Sequence, residues 1–111
     1  MSLFSIIYPV KDTAAAKGIF TALLGTEPHT DQPYYVGYNV DGVEYALNPG
    51  GYAQGLTGAT PFWKCADIDA AVAELVAAGA VVVQGPADVG GGAITASLTD
   101  VDGNMIGLIQ S

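Results

Sequence analysis

The chain has 111 residues, half of them hydrophobic, with three lysines, eleven acidic residues and a formal charge of −8. That length can bury one real core and is too short for two ordinary domains. The charge argues against nucleic acid and anionic membrane surfaces as partners, because clustered Lys and Arg supply most of the affinity there. A single cysteine, Cys65, excludes an internal disulfide. The apolar run Leu3 to Tyr8 has no basic lead, and no run reaches the roughly 20 residues of a membrane helix. A soluble cytoplasmic protein is expected.

Leu3 to Pro9, dense in β-branched and aromatic residues, predicts a strand. Asp12 or Thr13 can cap a helix whose apolar stripe is Ala16, Phe20, Leu23 and Leu24 and whose stop is Gly25. Thr26 to Pro33 is polar, holds His29, and has room for a short edge strand at most. Tyr34 to Val40 and Val43 to Asn48 read as strands around Asp41-Gly42, a dipeptide suited to a tight hairpin. Gly50 to Gly58 is a turn-rich linker between a first module, residues 1–49, and a second, residues 59–111.

The order then recurs. Thr60 to Ala66 reads as a strand, and Asp67 caps a helix buried through Ile68, Ala71, Val72, Leu75 and Val76 and stopped by Gly79. Val81 to Gln84 is a strand, Gly85 to Gly92 a loop, and Ile94 to Asp100 with Asn104 to Gln110 a closing hairpin. Asp12 corresponds to Asp67 at an offset of 55, whereas Asp41-Gly42 corresponds to Asp102-Gly103 at 61, which places a six-residue insertion in the Pro86 to Gly92 loop. The sequence states a βαβββ unit twice.

Val10-Lys11-Asp12 before a helix ending Leu24-Gly25, Asp67-Ile68-Asp69-Ala70-Ala71 before one ending Ala78-Gly79, and the closing Asp100 to Leu108 together resemble the vicinal oxygen chelate superfamily. Its members include glyoxalase I, bleomycin resistance proteins and extradiol dioxygenases. The resemblance implies an α+β fold in which two βαβββ modules form a curved mixed sheet around a central cup, with helices on the convex face. It also implies a divalent metal held by His or Glu at four strand positions, which fall here on Ser5, Ala46, Thr60 and Gly107. None of the four supplies carboxylate or imidazole, so no metal and no other cofactor is expected.

Strand alternation extends the trial lining of the cup. Ile7, Phe62 and Lys64 share a side with Ser5 and Thr60. A two-residue Asp41-Gly42 turn adds Tyr35, Asn39, Glu44 and Asn48 beside Ala46, and the second hairpin adds Leu98, Asp100, Met105 and Ile109 beside Gly107. Apolar walls with a few polar groups suit a small molecule. Lys64 and Glu44 are the charged residues to watch, although strand-end charges are mostly solvated. Tyr34, Tyr35 and Tyr52 either stack on a planar or cationic ligand or serve as ordinary sheet residues. Cys65 reads as an inert core thiol, Trp63 as core or interface, and His29 as an exposed loop residue.

Gly90-Gly91-Gly92 lacks the Lys and Ser/Thr of a phosphate loop, and Asp100-Val101-Asp102-Gly103-Asn104 has its Gly misplaced for a calcium loop. The expected function is binding of a small organic molecule, cationic or aromatic, by a metal-free homodimer without assigned catalytic residues. The alternatives are a metal-dependent lyase, isomerase or dioxygenase of glyoxalase type, and an interaction module with a filled cup.

Overall fold

The computed structural model describes all 111 residues, as eight strands and two helices of an α+β fold that divides into two compact units. The first is Ser5–Ala59, and the second joins Met1–Phe4 to Thr60–Ser111. No helix is long and apolar enough to cross a membrane.

In the first unit, strand β1 (Ser2–Pro9, of which Ser5–Pro9 belongs here) precedes helix α1 (Thr13–Leu24) and strands β2 (Thr30–Gln32), β3 (Tyr35–Val40) and β4 (Val43–Asn48). The strands lie side by side as β2-β3-β4-β1, with only β4 and β1 parallel. Asp12 caps α1 by accepting the Ala15 N–H at 3.0 Å, and Gly25 closes it in the left-handed conformation at φ 68°. Asp41 and Gly42, at φ 52° and 82°, make the two-residue turn that pairs Val40 with Val43.

That turn fixes the side on which each residue stands. Val36, Tyr38 and Leu47 are buried against Tyr8, Val10, Ala16, Phe20, Leu24 and Tyr45, so α1 covers one face of these strands. The Tyr38 hydroxyl, carried into this core, shares a hydrogen bond with Thr21 Oγ1 at 2.8 Å. Leu23, placed in the apolar stripe by its spacing, is instead 69 % exposed, and Ile19 is exposed beside it. The opposite face carries Ser5, Ile7, Gly37, Asn39, Glu44 and Ala46, partners across β1, β4 and β3.

The second unit contains β5 (Thr60–Lys64), α2 (Ile68–Ala77), β6 (Val81–Gly90), β7 (Ala93–Thr99) and β8 (Met105–Gln110), with strand order β5-β8-β7-β6. Asp67 repeats the cap by accepting the Ala70 N–H at 3.1 Å, and Gln110 Oε1 accepts from the Ile68 N–H at 2.8 Å. Ile68 and Ala71 of α2 bury against Ala96, Leu98 and Leu108. The larger of these side chains, Ile68, Leu98 and Leu108, each contribute roughly 1.5–3 kcal/mol. Val76 is an exception to the expected stripe, since it stands at the solvent side of α2.

Two expectations fail here, both through register. The expected loop after Gln84 does not form: β6 runs on to Gly90, with register shifts between Val82 and Gln84, Gln84 and Ala87, and Asp88 and Gly90 that each admit one extra residue. The second hairpin also differs from the first. Its turn spans five residues, because Thr99 rather than Val101 opens it opposite Met105, and Asp100 closes it by accepting from the N–H groups of Asp102 and Asn104 at 2.9 and 2.8 Å. The one-residue slip places Ser97 opposite Gly107 and turns Leu98 to the helix side. Leu98 is therefore a core residue packed under α2, not part of the ligand-facing set. Asp100 likewise serves the turn.

Candidate functional site

In the first unit the polar face is organised around the Glu44 carboxylate. Tyr35 donates its hydroxyl to Glu44 Oε2 at 2.6 Å, and His29 Nε2 lies 2.8 Å from both carboxylate oxygens. His29 Nδ1 in turn meets Thr30 Oγ1 at 2.8 Å, so both ring nitrogens are engaged. The Glu44 side chain is only 17 % exposed, against 46 % for His29, so the histidine forms the outer wall of a sheltered acid. Burial, and then the hydrogen bond to Glu44 and its negative charge, raise the Tyr35 pKa and keep the phenol protonated as a donor.

Gly37 makes this crowding possible. A Cβ there would lie 2.6 Å from Tyr35 Cε1, 2.7 Å from Glu44 Oε2 and 2.9 Å from His29 Cε1. A glycine inside a strand often marks such a close approach. Its carbonyl also accepts the His29 N–H at 2.9 Å, which ties the loop before β2 to β3. His29 is an exposed loop residue, as its polar surroundings imply, but its ring is fixed on Glu44 and Thr30. The only sequence signal pointing to it was Gly37 itself, in the middle of an otherwise bulky strand.

The other first-unit residues divide by role. Ser5 and Ala46 are buried beside Glu44, Ile7 is half-buried opposite Ala46, and Asn39 stands exposed opposite Glu44. Asn48 is committed to the following turn, where its Oδ1 accepts the Gly50 N–H at 2.8 Å.

In the second unit Thr60 is fully buried, and Phe62, Gly107 and Ser97 stand abreast on β5, β8 and β7. The Phe62 ring occupies the place of a side chain at 107, where a Cβ would come within 2.5 to 2.6 Å of three ring atoms. Met105 is half-buried opposite Thr99, and Lys64 is exposed with its ammonium 5.9 Å from the Phe4 ring. Cys65 packs at the edge of the α2 core, its thiol donating to the Ile109 carbonyl at 3.5 Å, and burial pushes its pKa up, as an unreactive thiol requires.

These residues do not fit a divalent ion in the superfamily manner. The corresponding positions offer the hydroxyls of Ser5 and Thr60, a methyl at Ala46 and bare backbone at Gly107, and the last is covered by an aromatic ring. No three His, Cys, Asp or Glu side chains are placed to hold a metal ion. What the first-unit arrangement offers is a sheltered carboxylate with two donors on it, suited to orienting a ligand's ammonium, hydroxyl or amide.

No protein of curated function matches the chain. Among solved structures, an NAD-dependent benzaldehyde dehydrogenase from Legionella pneumophila matches with a TM-score of 0.78 at 15% identity, covering 96% of both chains. A glyoxalase/bleomycin resistance protein/dioxygenase superfamily member from Vibrio splendidus 12B01 matches at 0.71 and 19%, covering 99% of this chain and 100% of that one. A Streptomyces coelicolor methylmalonyl-CoA epimerase, in complex with 2-nitronate-propionyl-CoA, matches at 0.70 and 18%, covering 100% and 97%. At such identities these structures share the fold alone. The model of the Glyoxalase/Bleomycin resistance protein/Dioxygenase superfamily matches residues 2–108, and the chain belongs to that superfamily.

Proposed function

We propose that this chain binds a small organic molecule without the superfamily's metal, and that Glu44 is the polar anchor of its site. The carrying observation is the Glu44 carboxylate, held by Tyr35 and His29 on the strand face that α1 leaves uncovered. A carboxylate fixed in this way meets a cationic or hydrogen-bond-donating ligand with little reorganisation, and the half-buried Ile7 on the same face offers apolar contact. Superfamily folds accept small ligands, as the epimerase with a bound CoA ester illustrates. Fold alone names no ligand.

The test is a thermal-shift screen of amines and aromatic amines on purified protein and on Glu44→Gln. Ligands of this class should raise the melting temperature of the natural chain, since a ligand selective for the folded state stabilises it, and the shift should shrink in Glu44→Gln. No shift across the amines overturns the reading. A second reading, a metal-dependent lyase, isomerase or dioxygenase, draws support from His29 and Glu44 as two side chains of ligand type 2.8 Å apart. Metal analysis after divalent ions are added separates the two: one tightly held equivalent favours the second. Homodimer formation belongs to the first reading and is checked by light scattering.

A further inference from the structure

We propose that the Phe62 ring is a displaceable plug, and that a small neutral aromatic carrying a hydroxyl group takes its place over Gly107 and hydrogen-bonds the Ser97 hydroxyl. This deepens the small-molecule reading and rests on it.

Three observations in the second unit carry the inference. Phe62, Gly107 and Ser97 are direct partners across the adjacent strands β5, β8 and β7, so all three face the same side. The ring fills the side-chain space of Gly107, where a Cβ would meet Phe62 Cδ1, Cγ and Cδ2 at 2.5, 2.5 and 2.6 Å. Moving that ring would leave a ring-sized space floored by bare backbone, and Phe62 is only half-buried, so it has a solvent side toward which to turn.

Beside it, Ser97 Oγ is buried and has no hydrogen-bond partner within the protein. Buried hydroxyls are almost always paired, and an orphan calls for a partner from outside the chain. Apart from Lys64, which is exposed and lies over the Phe4 ring, no side chain sharing this face of the three strands carries charge. The chemistry that suits a ring-shaped space with one hydroxyl at its side is a neutral phenol. An ionised group would be buried there without a counter-charge.

The experiment titrates phenol and benzene into the full chain and into Ser97→Ala and Phe62→Ala, with the phenylalanine ring signals followed by NMR. Phenol should move the Phe62 signals, and it should bind Phe62→Ala more tightly than the natural chain because no ring has to be displaced. Ser97→Ala should weaken phenol about fivefold, the equivalent of one neutral hydrogen bond, and leave benzene unchanged. Should Phe62→Ala not fold, Phe62→Leu serves in its place. Phenol saturation with Phe62 unmoved, absence of phenol binding to the Phe62 variant, or equal losses of phenol and benzene in Ser97→Ala overturns the plug. Those outcomes leave the Glu44 reading intact, which is tested by amines and Glu44→Gln, and failure of the amine screen does not produce them.

Discussion

The two units use the same strand pairing to opposite ends, and the difference lies in where each places its glycine. Ile7 faces Ala46 and Phe62 faces Gly107 at corresponding positions of the repeat, and the next strand over supplies Gly37 in the first unit and Ser97 in the second. The missing side chain at Gly37 admits a polar cluster, Tyr35 and His29 on Glu44, whereas the missing side chain at Gly107 admits an aromatic ring. One duplicated frame therefore carries a charged cluster in one unit and an apolar one in the other. The superfamily's metal positions become interior surface in both, with Ser5, Ala46 and Thr60 all buried.

The sharpest test of the comparison is the register of the second hairpin. Leu98→Ala should destabilise by about 2–5 kcal/mol, the cost of emptying a packed aliphatic site. Ser97→Ala, one residue away, should cost nothing or add stability by removing an unpaired hydroxyl. Chemical denaturation of the two variants measures the contrast. Equal small effects would return Leu98 to the ligand-facing side and dissolve the distinction between Ser97 and Gly37.

The glycines come next in magnitude. Gly37→Ala and Gly107→Ala should each cost about 1–3 kcal/mol by overpacking, but for different reasons that a double-mutant cycle separates. In a Phe62→Ala background the cost of Gly107→Ala should vanish, since the ring it strikes is gone and alanine is the better strand residue. The Gly37→Ala cost should persist in that background and fall when Tyr35 and Glu44 are truncated. Full persistence of the Gly107→Ala cost without Phe62 would show that the ring is not what the glycine accommodates.

Much of this frame is legible in the amino-acid sequence. The bounds of α1, both Asp caps and the first hairpin register follow from capping residues, helical spacing and a two-residue Asp-Gly turn whose geometry admits one pairing. The second Asp-Gly was misleading because Asp100, two residues upstream, recruits Asn104 into a longer turn, and that competition depends on side-chain hydrogen bonds that no dipeptide announces. The continuation of β6 past Gly85 and Pro86 escaped for a related reason, since bulges let a strand tolerate residues that usually end one. Of the site, Glu44 and Tyr35 were placed by alternation. His29 was not, because its position is set by pairing with Gly37, a long-range contact.

A smaller effect probes the polar cluster of the first unit alone. Glu44→Ala leaves the Tyr35 hydroxyl without its acceptor and should cost about 1–2 kcal/mol. The same pair has a pH signature. The folded protein holds the Tyr35 pKa above the ordinary value near 10, so its protonated form is favoured by folding. That contribution is complete below about pH 10 and is lost as pH rises toward the folded value. The melting temperature should fall more steeply above that pH in the natural chain than in Tyr35→Phe, and parallel curves would mean that the phenol titrates as in the unfolded chain.

The smallest expected effect lies in the turn that displaced Leu98. Hydrogen bonds from the Asn104 side chain and then its backbone, with lesser ones from Asp102 and Gly103, hold the Asp100 carboxyl below the usual carboxylate range. A depressed folded pKa gives a contribution that is present above the unfolded value, near 4, and lost as pH falls through the folded one. Asp100→Asn should therefore melt slightly below the natural chain at neutral pH, with the gap closing under acid. Because Asp100 sits at the surface, salt should narrow the gap as well. The five-residue turn and the Ser97–Gly107 pairing depend on the same side chain, so the variant should also let amides around Thr99 and Met105 exchange faster. A gap that ignores pH, with exchange unchanged, would mean that the backbone rather than the carboxylate selects this register.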